Sequence, residues 1–118
     1  MKAEVKYFHS PDIPELDTFQ PEEIDNFCFL LQMFVGVKGK EGEESFDITV
    51  CTPKWLISNY GKENIIFGRH YLIVFEYNYK KFIQELTRYV EFLEGKDWNS
   101  LAKQIGRIGK WEFEDYQK

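Results

Sequence analysis

Ser45-Phe46-Asp47-Ile48-Thr49-Val50-Cys51-Thr52-Pro53-Lys54-Trp55-Leu56 reads as a strand that runs directly into a helix. Phe46, Ile48 and Val50 alternate with more polar neighbours, so one face is apolar and the other solvated. Thr52 can accept a backbone N–H as an N-cap, and Pro53 suits the first helical position, where a missing N–H costs nothing. A helix of about two turns follows and stops at Gly61. Upstream, residues 27–35 carry Phe27, Phe29, Leu31, Met33 and Val35 on one face and Cys28, Leu30, Gln32 and Phe34 on the other. Apolar character on both faces predicts a central strand covered on both sides. A hairpin around Gly39-Lys40 sets Phe29 opposite Val50, Leu31 opposite Ile48 and Met33 opposite Phe46, which matches apolar with apolar throughout. The same register brings Cys28 near Cys51, although a slip of two residues keeps the faces and loses that proximity.

Outward from this hairpin, Ala3, Val5 and Tyr7 alternate with charged residues and predict an opening strand. It stops at His9-Ser10-Pro11-Asp12, and Pro14 and Pro21 keep the long loop 10–26 irregular. Arg69–Tyr77 is rich in strand formers and long enough for one strand. Asn78 can cap a helix whose stripe is Phe82, Ile83, Leu86, Tyr89, Val90 and Leu93, and Gly95 ends it. Trp98, Leu101, Ala102 and Ile105 repeat the pattern in a shorter helix ending at Gly106. The tail Trp111–Tyr116 alternates aromatic with acid and predicts an edge strand or a segment packed over the sheet. The expected fold is α+β: one domain over residues 1–118, an antiparallel sheet of about four to five strands with two to three helices on one face.

The 118 residues carry 15 Lys and Arg against 20 Asp and Glu, a formal net charge of −5. That balance argues against nucleic acid and against an anionic membrane surface as partners. The longest apolar stretch, Phe27–Val37, is interrupted by Gln32 and is too short to span a bilayer. No apolar signal core follows the amino terminus. Two cysteines without CxxC spacing predict a cytoplasmic protein that keeps both as thiols. Charge is uneven along the chain. Residues 1–47 hold eleven acids and four bases, net −7, and the remainder is net +2. Those acids fall mainly in two loops, 10–26 and 39–44.

Reactive chemistry finds little support. Cys51 with His70 is the one plausible thiol dyad, but each sits at a strand end, where a packed thiol and a structural imidazole are the simpler reading. The two histidines and two cysteines share no metal-ligand spacing, and acids 22, 23 and 25 lack the alternating oxygens and glycine of a calcium loop. Gly36-Val37-Lys38-Gly39-Lys40-Glu41-Gly42 matches neither phosphate-loop pattern and precedes a strand, so it reads as a hairpin turn. Arg107-Ile108-Gly109-Lys110-Trp111 mixes base with aromatic, and in an acidic protein this reads as packing rather than nucleic-acid stacking. No cofactor and no metal are expected. The acidic loops remain, as solvated surface or as a binding face.

The residues from the His9-Ser10-Pro11-Asp12 turn through Phe27-Cys28-Phe29-Leu30-Leu31-Gln32 and Val35-Gly36-Val37-Lys38-Gly39 resemble a known family, most specifically in Glu44–Leu56. The chain is similar to the immunity protein 8 family of bacterial polymorphic toxin and contact-dependent inhibition systems. The similarity covers about the first half, and the second half corresponds only in its helix and strand pattern. The resemblance implies a cytoplasmic, non-enzymatic protein that binds and neutralises a cognate toxin domain; a monomer or weak homodimer is expected. It carries over no catalytic residues, and Trp55 reads as a buried structural anchor. An acidic inhibitor fits a basic toxin, a nuclease above all. The candidate toxin contacts are Asp12, Glu15, Asp17, Glu22, Glu23 and Asp25, then Glu41, Glu43, Glu44 and Asp47. The alternatives are an acidic adaptor unrelated to toxins and a small thiol enzyme using Cys51 and His70.

Overall fold

The central hairpin forms in the register that apolar matching dictates. In the computed structural model, which describes residues 1–115, β2 (Cys28–Val37) pairs antiparallel with β3 (Glu44–Cys51). Phe29 lies opposite Val50, Leu31 opposite Ile48 and Met33 opposite Phe46. Gly39 and Gly42 take positive φ in the connecting turn, a backbone conformation that side chains disfavour. β1 (Ala3–His9) adds antiparallel to β2, with a bulge between Val5 and Tyr7.

Beyond β3 the sheet departs from the expected pattern. Thr52 does cap α1 (Pro53–Tyr60), its hydroxyl accepting from the Trp55 N–H. The chain then returns to lay β4 (Tyr71–Ile73) parallel to β3, so the sheet is mixed and not wholly antiparallel. A helical crossover between neighbouring strands produces this parallel pairing. Residues 69–77 were expected to form one strand, but only Tyr71–Ile73 do, because the chain turns away into α2 (Tyr79–Phe92). α3 (Trp98–Ile105) and the two-residue β5 (Lys110–Trp111) complete the order, with β5 pairing β3 antiparallel beside β4. Tyr116 of the expected tail strand lies outside the described residues.

Helices α2 and α3 cover one face of the sheet. Phe82, Leu86 and Val90 from α2 and Leu101, Ala102 and Ile105 from α3 meet Leu31, Met33, Phe46, Ile48 and Val50 in a single core. The opposite face is only half-buried, with Tyr7 stacked on Phe34 at 4.4 Å and Gln32 donating to Asp47. The expectation that β2 is covered on both sides therefore fails for Leu30, Gln32 and Phe34. α1 buries none of its residues. Trp55 is half-buried, in edge contact with Tyr60 rather than seated in the core.

Candidate functional site

The acidic loop 10–26 is irregular in backbone but firmly held. Ile13 and Leu16 plug into the core, and Phe19 packs edge-on against Tyr77 at 5.2 Å. Tyr77 clamps the loop twice: its hydroxyl donates to the Leu16 carbonyl at 2.7 Å, and its N–H donates to the Ile24 carbonyl at 2.8 Å. Burial pushes the Tyr77 phenol up to about 12, with the neighbouring Tyr79 and Asp17 adding to the rise. Apolar residues at 13, 16 and 19 point in, so the intervening acids point out.

Those acids differ in what they hold. Asp12 takes over where β1 ends, its carboxylate accepting from the Leu30 N–H at 2.8 Å. Glu15 accepts from the Thr18 hydroxyl. Glu23 accepts from the Asn26 side chain and lies 3.5 Å from the Lys54 ammonium, which Asp25 approaches at 3.7 Å. The Asn26 hydrogen bond, and then the Lys54 charge, hold the Glu23 carboxyl below its ordinary value. Asp17 and Glu22 make no hydrogen bond or ion pair among the described residues. Large apolar side chains are exposed on the loop and on the strand that leads to Tyr77: Ile24 is 56% exposed, Ile73 51% and Phe75 79%.

The second group of acids is elsewhere. β2 separates the two loops, and its ten residues place them on the order of 30 Å apart. Glu41 and Glu43 are exposed at that far end. Glu44 turns to the helical side, where one carboxylate oxygen accepts from the indole N–H of Trp98 at 2.7 Å and of Trp111 at 2.8 Å. Asp47 lies on the open sheet face, bonded to Gln32. The ten candidate residues therefore do not form one site. Six share one end of the sheet, and the other four are dispersed.

The thiol dyad is not assembled. Cys28 and Cys51 are direct cross-strand partners with Cα atoms 4.2 Å apart, and a disulfide joins them where free thiols were expected. His70 is turned to the Gly106 carbonyl at 2.7 Å and to Glu114 at 3.5 Å. Among the described residues no group of three or more His, Cys, Asp or Glu is placed to hold a metal ion. In the 107–111 stretch Trp111 stacks against Phe46, as packing requires. No described helix is long and apolar enough to cross a membrane. Sequence reasoning missed the exposed Ile24, Ile73 and Phe75. For Ile73 and Phe75 the only signal was the apolar character on both faces of residues 71–75; Ile24, alone among acids, had none.

A fixed loop presenting carboxylates beside exposed apolar side chains is the kind of surface that meets another protein. The family model for Immunity protein 8 matches residues 3–116, nearly the whole chain, and the chain belongs to that family. The family name makes it an immunity protein directed against a toxin. No curated protein and no solved structure matches the chain.

Proposed function

We propose that this protein neutralises a basic toxin domain, a nuclease above all, by laying the acids of loop 10–26 against its cationic cleft. The supporting observation is that Asp17, Glu22, Glu23 and Asp25 are exposed on a loop fixed in advance by Ile13, Leu16 and the two Tyr77 hydrogen bonds. A preorganised charged surface speeds encounter and loses little ordering entropy on binding. Neither nucleic acid, membrane nor cofactor takes part.

The test replaces Asp17, Glu22, Glu23 and Asp25 together by Lys, which moves the formal net charge from −5 to +3. The partner is the catalytically inactivated cognate toxin domain. Association is expected to slow by at least about tenfold at low salt and by less at high salt, where steering is screened. Circular dichroism should show an intact fold, since none of the four side chains enters the core. A wild-type association rate with unchanged salt dependence would sink the proposal.

A further inference from the structure

Helix α2 leans toward one end of the sheet. The Val5 N–H donates to Glu91 at 3.2 Å, and the Lys2 ammonium donates to the Phe92 carbonyl at 3.0 Å, so β1 draws the helix to its side. β4, at the opposite end, is left with a gap beside α2. Hollows of about 500 and 650 Å³ occupy it, and because they share Leu72 and Glu85 they form one trough. Its floor is apolar, from Phe82 through Leu72 to Ile48 and Leu86.

One wall of this trough is main chain. His70 C=O accepts from Thr49 N–H, and Val74 N–H donates to Cys51 C=O. In a parallel ladder alternate residues face the same neighbour, so Leu72 is the strand residue that turns its N–H and C=O to β3. Ile73 must aim both of its groups the other way. β4 ends the β1-β2-β3-β4 order, so among the described residues no strand meets them. An unpaired edge above an apolar trough selects an extended chain, because a helix would leave those groups unbonded.

Charge narrows the partner. Glu76 stands at the Phe75 end and Glu85 where the two hollows adjoin, and the Tyr77-to-Ile24 hydrogen bond brings the acidic loop alongside the Phe75 end. Lys81 also lines that end, and Arg88 farther along lies 3.5 Å from Glu85, which it partly offsets. A second copy of the chain would bring another net charge of −5. We propose that β4 and α2 grip an extended toxin segment that adds as a strand to β4, its alternate apolar side chains in the trough and its Lys or Arg residues toward the acidic loop. This rests on the reading of the chain as a toxin inhibitor.

The experiment uses the full chain and the same inactivated toxin domain. Hydrogen exchange at the Ile73 amide should be fast in the free protein and slow by at least about tenfold in the saturated complex. Phe75→Lys and Ile73→Lys change exposed side chains, so both should fold. Each should speed dissociation by about tenfold or more with little effect on association, whereas the loop 10–26 variant does the reverse. Unchanged Ile73 exchange in the complex, or wild-type dissociation of both variants, would overturn the trough while leaving the inhibitor reading intact. Protection of Ile73 by self-association before toxin is added would overturn it in favour of a second copy. If the wild-type chain does not bind that toxin domain, both proposals fall together.

Discussion

Glu44→Ala is expected to unfold the protein more easily while leaving toxin association unchanged, although Glu44 sits in an acidic stretch. Its Oε1 accepts from Trp98, the first residue of α3, and from Trp111 of β5, at 2.7 and 2.8 Å. One oxygen thus ties together the start of β3, the start of α3 and the last strand. Hydrogen bonds to an ionised acceptor contribute about 1.5–3 kcal/mol each, and a half-buried site lets water recover part of that loss. We expect a cost of about 2–3 kcal/mol, or roughly 8–12 °C in melting temperature for a chain of this length. Glu44→Gln keeps an acceptor oxygen and loses only charge assistance, so about 1 kcal/mol is expected. Trp98→Phe removes one donor. Combined with Glu44→Ala in a double-mutant cycle it should show a coupling of about 1 kcal/mol or more. Urea denaturation measures all four variants, and stopped-flow association reads the toxin side. If Glu44→Ala melts within about 2 °C of wild type, the indole bonds hold nothing together. If it also slows toxin association, Glu44 belongs to the binding surface.

Two further expectations concern the loop clamp and the disulfide. Tyr77 has a folded pKa of about 12 against about 10 for an unfolded tyrosine, so its contribution is complete below pH 10 and is lost as pH rises through 12. Tyr77→Phe should lose about 1 kcal/mol at neutral pH with the Leu16 hydrogen bond and show a shallower alkaline decline; absorbance titration and melts check both. Cys28 and Cys51 are 23 residues apart, and closing such a loop is worth about 3.4 kcal/mol in chain entropy. Melts with and without reductant, beside a thiol count, should show that difference, and coincident melts would mean that the hairpin needs no cross-link.

The hairpin was legible because alternation on β3 and the richer face of β2 admit few registers that pair apolar with apolar. Its opposed cysteines belong to one of the registers that this argument allows, since a slip of two residues keeps the faces and separates them. Direction was not legible for Tyr71–Ile73, since side-chain parity is the same for a parallel and an antiparallel strand. The depth of Trp55 was misread because Trp55 and Leu56 after a good N-cap look like an anchored helix. Nothing in the local pattern shows that α1 buries no residue against the sheet. The two bonds that Glu44 makes were out of sight for a related reason: its donors lie 54 and 67 residues away, out of reach of any local motif. The acids of loop 10–26 were correctly placed in a loop, but which of them were already bonded depended on Leu30, Thr18, Asn26 and Lys54.

The separation of the charged ends limits how one toxin can use them. A standard interface covers about 800 Å² on each partner, a patch roughly 30 Å across. Tyr77, bonded to Ile24 of loop 10–26, lies in the chain between Glu76 and Asn78 of the trough, so a single partner can engage both at once. Glu41 and Glu43 stand about the length of β2 away, at the limit of such a patch. Ions screen exposed charges over about 8 Å at physiological ionic strength, well short of that distance. Their field can therefore speed encounter in dilute buffer but adds little in the cell. Local contact must then come from the near end, where an edge strand, an apolar trough and fixed carboxylates adjoin. The lean of α2 toward β1 leaves the β4 edge open, so the packing that completes the core also exposes the surface on which a toxin would dock.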